Sequence, residues 1–204
     1  FLSEQIFKNK IHCKLWSGTW DVTSLVLKKT IDNYCDFNVL KYLDIGCGHV
    51  ALFGQYVKKK FPYTEVVSSD LYENVLKSAK QNIEKNSHEI KLKRSNLFSN
   101  ISGKFNLITA NLPYVPLTIN QNIKKGTVRY NSRYSGNDGT ELSKKFLKLA
   151  KKHLEKNGRV FFGVNCFYIS EETCKKMIKQ YGYKIDTIVN MKFNTAKVFI
   201  IKRK

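Results

Sequence analysis

The stretch Leu40-Lys-Tyr-Leu-Asp-Ile-Gly-Cys-Gly48 gives the first indication of the fold. Its first six residues form a short, largely apolar run that a glycine ends, which is typical of a buried strand. The glycines let the backbone turn sharply and come close to a ligand. The next segment, Val50–Lys60, has helical character, and the N-terminus of such a helix offers unpaired N–H groups. A strand, a tight turn and a helix are therefore predicted in succession.

The same alternation of strand and helix patterns continues along the chain. Strands are predicted at Leu40–Ile45, Glu65–Ser69, Ile90–Lys93, Phe105–Ala110, Arg159–Val164, Tyr183–Val189 and Ala196–Lys202. Helices are predicted at Val50–Lys60 and Glu73–Lys85, around Val22, Leu25 and Val26, around Leu142, Phe146, Ala150 and Leu154, and around Cys174, Met177, Ile178 and Tyr181. Gly158 is expected to close the fourth of these helices as a glycine after its last turn.

This alternation predicts an α/β fold with a seven-stranded, mostly parallel sheet and helices on both faces. The last two strands are expected to form a hairpin at one edge. We expect residues 1–204 to form a single domain in which residues 1–35 are an N-terminal helical lead-in. Folds of this class bind ligands beyond the carboxyl ends of their strands, where the strand order reverses. The loops that directly follow the strands are therefore the candidates for a functional site.

The composition excludes several classes of protein. Of the 204 residues, 42% are hydrophobic and 25% are charged, which is the profile of a globular protein. A membrane-spanning helix needs about 18 consecutive apolar residues, and the sequence contains no such run. The five cysteines form no C-x-x-C pair, and the four histidines lack metal-ligand spacing. We therefore expect no disulfide framework, no metal site and a cytoplasmic location with reduced thiols.

The chain carries a large positive charge, with 36 Lys and Arg against 16 Asp and Glu and a formal net charge of +20. Such a field attracts RNA, ribosomes or acidic protein surfaces. The same charge also fits a protein whose whole composition is biased toward lysine, asparagine and isoleucine. Both interpretations stay open, because charge alone does not define a site.

The first loop at a predicted strand end places Asp44 before Gly46 and Gly48. It differs from the G-x-G-x-x-G sequence of dinucleotide sites, because position 51 is alanine and an acidic residue precedes the glycines. A carboxylate disfavours a pyrophosphate but suits a cationic methionine moiety. Asp44 is expected either to order the loop or to attract an ammonium group. An ordinary strand–turn–helix connection without a ligand could contain the same residues.

The second and third loops add polar residues at the ends of the next two strands. Asp70 lies 22 positions after Gly48, a spacing that suits contacts to ribose hydroxyls, although Asp70 could instead cap the following helix. Asn96 is placed to contact adenine through its amide. We assign Leu71 and Leu97, which directly follow these two residues, to the same cofactor site.

The fourth loop, Asn111-Leu-Pro-Tyr114, is the most specific. A residue before proline is extended, so the Leu112 carbonyl can point into the site beside the side-chain oxygen of Asn111. Two acceptors can hold both hydrogens of an NH₂ group, and the ring of Tyr114 offers a face for stacking on a planar group. We assign catalysis to Asn111, Leu112, Pro113 and Tyr114, and we expect the ring of Tyr114 to matter more than its hydroxyl. An ordinary turn is disfavoured because four loops with candidate ligand-binding residues follow four successive predicted strands.

These motifs resemble the S-adenosylmethionine (SAM)-binding and catalytic motifs of Rossmann-like amino-methyltransferases. More narrowly, the chain is similar to the release factor glutamine methyltransferase family, whose catalytic motif is Asn-Pro-Pro-Tyr. The similarity covers roughly residues 18 to 202 and extends to Tyr114-Val-Pro116, Val128-Arg-Tyr130, Gly136-Asn-Asp-Gly139 and, weakly, Trp20-Asp-Val-Thr23. The chain departs from the family where Leu112 replaces the first proline of the motif and Asn96 replaces the usual aspartate.

The resemblance implies a Rossmann-like fold, SAM as the cofactor and methyl transfer to a planar amide or amino nitrogen. The expected acceptor is a protein glutamine side chain in a translation factor or ribosomal protein, and an activating partner stays open. Asn-Leu-Pro-Tyr is also the form found in rRNA adenine dimethyltransferases, so an rRNA adenine N-methyltransferase is the main alternative. A small-molecule N-methyltransferase and a non-catalytic, RNA-binding subunit with a SAM fold are the others.

Overall fold

The computed structural model describes residues 21–35, 39–119 and 123–204. Most of the expected lead-in, including Trp20, lies outside these residues. The helices are α1 (Val22–Tyr34), α2 (Leu52–Lys60), α3 (Glu73–Lys85), α4 (Val128–Asn131), α5 (Glu141–Ala150) and α6 (Glu171–Gln180). The strands are β1 (Lys41–Ile45), β2 (Glu65–Asp70), β3 (Lys91–Arg94), β4 (Phe105–Asn111), β5 (Leu154–Asn165), β6 (Tyr183–Asn190) and β7 (Ala196–Arg203).

The seven strands form one sheet in the order β3-β2-β1-β4-β5-β7-β6. The strands β1 to β5 pair in parallel, whereas β7 runs antiparallel to both β5 and β6. The predicted mostly parallel sheet with a terminal hairpin is therefore confirmed, with β6 at the edge. The strand order reverses between β1 and β4, so a crevice opens at the carboxyl ends of these two strands.

Two apolar clusters cover the two faces of the sheet. Successive side chains of a strand point to opposite faces, so on β5 the buried rings of Phe161 and Phe162 enter different clusters. One cluster contains residues of α1 and α2, and the other contains residues of α5 and α6. Helices on both faces are thus confirmed, and each fully buried Phe or Leu stabilises the fold by roughly 1.5–3 kcal/mol.

The helix α1 begins with a capping box in which Asp21 is the N-cap. Asp21 Oδ1 accepts a hydrogen bond from Ser24 N at 2.9 Å, and Ser24 Oγ accepts one from Asp21 N at 3.3 Å. The helix packs against β5 and β7. At Gly163 on β5, a Cβ atom would lie only 2.8 Å from Thr23 Cγ2, so this glycine allows the first turn of α1 to come close to the sheet.

One predicted helix end is wrong. The helical spacing suggested a helix that includes Leu154 and that Gly158 closes, whereas α5 ends at Ala150 and β5 begins at Leu154. Leu154 is fully buried in the cluster that also contains Ala150, so the apolar spacing continues into the strand. A Cβ atom on Gly158 would lie 2.8 Å from the carbonyl oxygen of Phe105, so this glycine serves the close pairing of β4 and β5.

Asp44 is a buried carboxyl group near the end of β1, with 2% of its surface exposed. Burial raises its pKa to about 7, and the nearby charge of Asp70 adds to this shift. A hydrogen bond from Thr109 Oγ1 at 3.0 Å and the backbone of Gly54 act in the opposite direction. The Thr109 hydroxyl also lies 2.5 Å from the Tyr42 hydroxyl. Folding therefore costs less when Asp44 is protonated.

This carboxyl group should make stability fall as pH rises. The pKa of Asp44 is about 7 in the folded protein and is ordinarily 3.8, so between these values the folded state binds a proton that the unfolded state releases. The free energy of unfolding should therefore decrease from pH 4 to pH 7, with a contribution of at most about 1.4 kcal/mol per pH unit, and then level off. Asp44→Asn, which is neutral at every pH, should lack this contribution. Urea unfolding of both proteins between pH 4 and 8 measures the difference, and parallel stability curves would contradict it.

Candidate active site

The register of the parallel strands brings three of the predicted loops together. Ile45, the last residue of β1, lies beside Ser69 on β2 and Ala110 on β4. The residues that follow these three are Gly46, Asp70 and Asn111. They therefore lie side by side at the carboxyl edge of the sheet, along the crevice between β1 and β4.

The loop of residues 46–48, called the glycine loop below, turns back on the end of β2. Gly46 and Gly48 have φ values of 75° and 66°, which glycine adopts without strain. The N–H groups of Gly46 and Cys47 both donate to the carbonyl oxygen of Ser69 at 2.9 Å. A Cβ atom on Gly46 would lie 3.2 Å from Leu112 Cδ2. The glycine loop therefore lies against residues 111–114, called the Asn111 loop below. At Gly48, no described atom lies within 4 Å of such a Cβ position, which leaves space for a ligand.

The carboxylate of Asp70 links this glycine loop to the end of β2. Its Oδ2 accepts a hydrogen bond from Gly48 N, and its Oδ1 accepts one from Tyr72 N, both at 3.1 Å. Tyr72 is the N-cap of α3, so Asp70 closes a turn before the helix instead of capping it. Each carboxylate oxygen has a further lone pair, which can accept from a hydroxyl group.

The other three predicted cofactor residues differ in exposure. Leu71, directly after Asp70, is 43% exposed, and Asn96 is also exposed. Leu97 has a positive φ of 53°, and its side chain packs in the core with Phe98. A contact from Leu97 to a cofactor would therefore come mainly from its backbone. Asp44 is buried and accepts a hydrogen bond from Thr109 on β4, and its two expected roles, ordering the loop or attracting an ammonium group, both stay predictions.

The Asn111 loop is held by the first turn of α1. Asn111 Nδ2 donates to Asp21 Oδ1 at 3.0 Å and to Ser24 Oγ at 3.3 Å. The Tyr114 hydroxyl donates to Asp21 Oδ2 at 2.5 Å and lies 3.1 Å from Thr23 Oγ1. The sequence interpretation assigned no site role to Asp21 or Ser24, although the weak Trp20-Asp-Val-Thr23 resemblance contained the signal.

The Tyr114 hydroxyl makes a structural contact that the sequence did not indicate, and the relative importance of ring and hydroxyl for activity stays a prediction. Tyr114 is only 8% exposed, and its ring packs 5.8 Å from the ring of Tyr168. Burial and the Asp21 carboxylate raise the pKa of Tyr114 well above its usual value, so the hydroxyl stays protonated and donates. Tyr114→Phe would leave Asp21 without this donor, and the ring has little free face for stacking.

A separate pocket of about 510 Å³ borders the segment that follows Tyr114. It is lined by Gly136, Asn137, Asp138, Thr140, Glu141, Lys144, Lys145, Lys148 and Tyr181. The Leu117 N–H donates to the carbonyl oxygen of Gly136 at 3.0 Å. This bond joins the pocket to the segment that continues the chain after Tyr114. Lys144 pairs with Asp138 at 3.5 Å, and Lys145 pairs with Glu141 at 2.7 Å.

Within residues 21–35, 39–119 and 123–204, no group of three or more His, Cys, Asp or Glu side chains could hold a metal ion. Across the same ranges, none of the helices combines the length and apolar character that crossing a bilayer requires.

Known proteins are similar to this chain in sequence and in fold. Over 74 residues, 36% of this chain and 22% of the other, it is 36% identical to the ribosomal RNA small subunit methyltransferase C of Pasteurella multocida. Over 195 residues, 95% of this chain and 93% of the other, it is 28% identical to a putative protein N5-glutamine methyltransferase of Methanocaldococcus jannaschii. The crystal structure of a methyltransferase from Pyrococcus furiosus matches 98% of this chain and 91% of its own, with a TM-score of 0.73 and 20% identity.

The solved structure shows the fold of this chain, and the sequence comparisons show its family. The solved structure, at 20% identity, confirms the Rossmann-like methyltransferase fold. The relative named as a glutamine methyltransferase confirms the resemblance found in the motifs. This chain spans less than half the length of the ribosomal RNA methyltransferases that it matches first. Residues 15–129, more than half of the chain, match the methyltransferase small domain and contain every loop of the candidate site. The chain therefore belongs to the methyltransferase small domain family.

Proposed function

We propose that this protein transfers the methyl group of SAM to a planar amide or amino nitrogen. Its first candidate acceptor is a glutamine side chain in a translation factor or ribosomal protein. The observation that carries the proposal is the orientation of Asn111. Because a carboxylate only accepts hydrogen bonds, the atom that faces Asp21 has to be the amide nitrogen. The Asn111 oxygen would then be the acceptor offered to a substrate at the crevice between β1 and β4.

The cofactor would lie across the glycine loop and the end of β2. The space at Gly48 accepts the methionine part, and the free lone pairs of Asp70 accept from ribose hydroxyls. The exposed side chain of Leu71 and the exposed amide of Asn96 are available to adenine. Bound there, SAM supplies an electrophilic methyl group on a sulfonium.

The Asn111 loop would prepare the acceptor nitrogen. An amide nitrogen is a poor nucleophile because its lone pair is delocalised into the carbonyl. The Asn111 oxygen and the Leu112 carbonyl accept its two hydrogens, which favours a more tetrahedral and electron-rich nitrogen. The contact of Leu112 with the glycine loop keeps these acceptors close to the cofactor side of the crevice. Orientation of this kind can supply up to roughly 7–11 kcal/mol, and the proton is released to water after transfer.

An amino group of RNA is the second candidate acceptor. The pocket beside the Asn111 loop contains Lys144, Lys145 and Lys148, and such side chains bind phosphates. The ion pairs of Lys144 and Lys145 are exposed and therefore weak, so a polyanion can compete with them. Glutamine remains the first candidate because the sequence after Tyr114 resembles the glutamine-methylating family.

SAM binding is the first property to test. Isothermal titration calorimetry should show that SAM binds to the intact protein and that Asp70→Ala weakens binding by about 1–3 kcal/mol, as expected for a lost charge-assisted contact. Asp186→Ala is the control, because Asp186 pairs with Lys202 on the hairpin edge of the sheet. No measurable binding by the intact protein, or equal losses in both variants, would contradict the assigned cofactor site.

Asn111 should be needed for transfer but not for SAM binding. Asn111→Ala removes an acceptor that would contact only the methyl acceptor, so turnover should fall by about 10²-fold or more, as for other preorganised polar groups. The SAM affinity should stay close to that of the wild type, while loss of the hydrogen bonds to Asp21 and Ser24 should lower the melting temperature modestly. Near-normal turnover on the true substrate would refute the assignment to an amide or amino nitrogen.

The acceptor can be identified with SAM that carries a tritiated methyl group. The protein is incubated with cell extract, and the labelled products are treated separately with RNase and with protease. We expect the label to survive RNase and to be released by protease, with Asn111→Ala as the blank. Release by RNase alone would establish the RNA candidate instead. Label only in small molecules, or no incorporation above the blank, would overturn both.

A further inference from the structure

The strongest unassigned feature of the site is the Asp21 carboxylate, and this inference rests on the proposed function. A helix N-cap needs one bond, from its side chain to a backbone N–H of the first turn, and Ser24 N supplies that bond to Asp21. Outside its own helix, the Asp21 carboxylate accepts two more hydrogen bonds, from Asn111 and Tyr114, which lie 90 and 93 positions away in the sequence. Capping does not require either of them.

We infer that Asp21 is a positioning residue that sets the orientation of the Asn111 amide and thereby makes the site select acceptors with N–H groups. The two ends of an Asn amide have nearly the same shape, so packing alone does not decide which end faces the crevice. Asp21 Oδ1 and Ser24 Oγ both accept from Asn111 Nδ2, which turns the nitrogen end of the amide toward α1. With the nitrogen held by α1, the oxygen is the end of the amide that faces away from α1.

The surroundings make this arrangement rigid. Ser24 Oγ accepts from Asp21 N and Asn111 Nδ2 and donates to Asp21 Oδ1 at 3.1 Å, which uses its full hydrogen-bonding capacity. The second carboxylate oxygen is held by the Tyr114 hydroxyl. Gly163, which pairs with Asn111 across β4 and β5, lets the first turn of α1 come this close. The carboxylate is thus fixed from its own helix, from the Asn111 loop and through the sheet.

Two substitutions separate positioning from helix capping. Asp21→Ser keeps a good N-cap, but its shorter side chain does not reach Asn111 or Tyr114. Asp21→Asn keeps an oxygen for Ser24 N and Asn111, and its NH₂ can donate to the Tyr114 hydroxyl. We expect Asp21→Ser to lower kcat by roughly 10-fold to 100-fold, since small displacements of a catalytic group have effects of this size. Asp21→Asn should stay within a few-fold of wild type, and the SAM affinity of both variants should be unchanged.

A double-mutant cycle shows whether Asp21 acts through Asn111. In an Asn111→Ala background, Asp21→Ser should have little further effect on kcat, because the group that it orients is gone. Ser170→Ala is the matched control for a lost helix cap, since Ser170 caps α6 by accepting from Thr173 N at 3.1 Å. It should lower the melting temperature and leave kcat unchanged. Additive effects in the cycle, or wild-type kcat in Asp21→Ser, would overturn the inference.

A readout without turnover keeps this test independent of the proposed function. In NMR spectra of ¹⁵N-labelled protein, the Asn111 side-chain NH₂ signals, assigned by their loss in Asn111→Ala, should exchange slowly with solvent. Asp21→Ser should accelerate this exchange, whereas Asp21→Asn should retain the slow exchange. Fast exchange in the wild type would disprove the positioning role. Slow exchange in a protein that transfers no methyl group would instead refute the proposed function alone.

Discussion

The parallel pairing of β1 with β2 and β4 is the constraint on which the candidate site depends. With Ile45 beside both Ser69 and Ala110, the chain has to leave all three strands at the same level of the sheet. Each loop that follows then begins at one edge, and the reversal of strand order opens the crevice at that edge. A shift of one residue would turn every side chain of the shifted strand to the opposite face and separate Asp70 from the glycine loop.

Glycines at points of close approach make this packing possible. A Cβ atom on Gly54 of α2 would lie 2.2 Å from Ser68 Oγ, so α2 can lie directly on β2 behind the glycine loop. The same holds where α1 approaches Gly163. The buried carboxyl of Asp44 adds a cost to folding at neutral pH, because its pKa is raised to about 7. The Asp44 carboxyl accepts from Thr109 Oγ1, so this buried polar group is tied to the neighbouring strand β4.

Much of the fold could be predicted because it depends on local pattern. Alternating strand and helix signals determined the sheet, and residues directly after strands had to meet at its edge. The end of α5 could not be predicted, because Leu154 continues the helical spacing while it already belongs to β5. The contact of Asp21 with Asn111 was also missed, since it joins a helix N-cap to a strand end 90 positions away. Only the packing of α1 on the sheet brings these residues together.

Under the proposed function, the candidate site has a cofactor half and an acceptor half, and these halves have different physical origins. The cofactor half is built mainly from backbone geometry at β1 and β2, where glycine turns and the Asp70 carboxylate shape the loop. The acceptor half is built from side chains at β4 and depends on α1, a helix from elsewhere in the chain. Changes in the first turn of α1 can therefore alter the acceptor half without touching the glycine loop. Under the proposed function, this separation would allow one cofactor-binding framework to serve different nitrogen acceptors, with the choice among them made at the junction of α1 and the Asn111 loop.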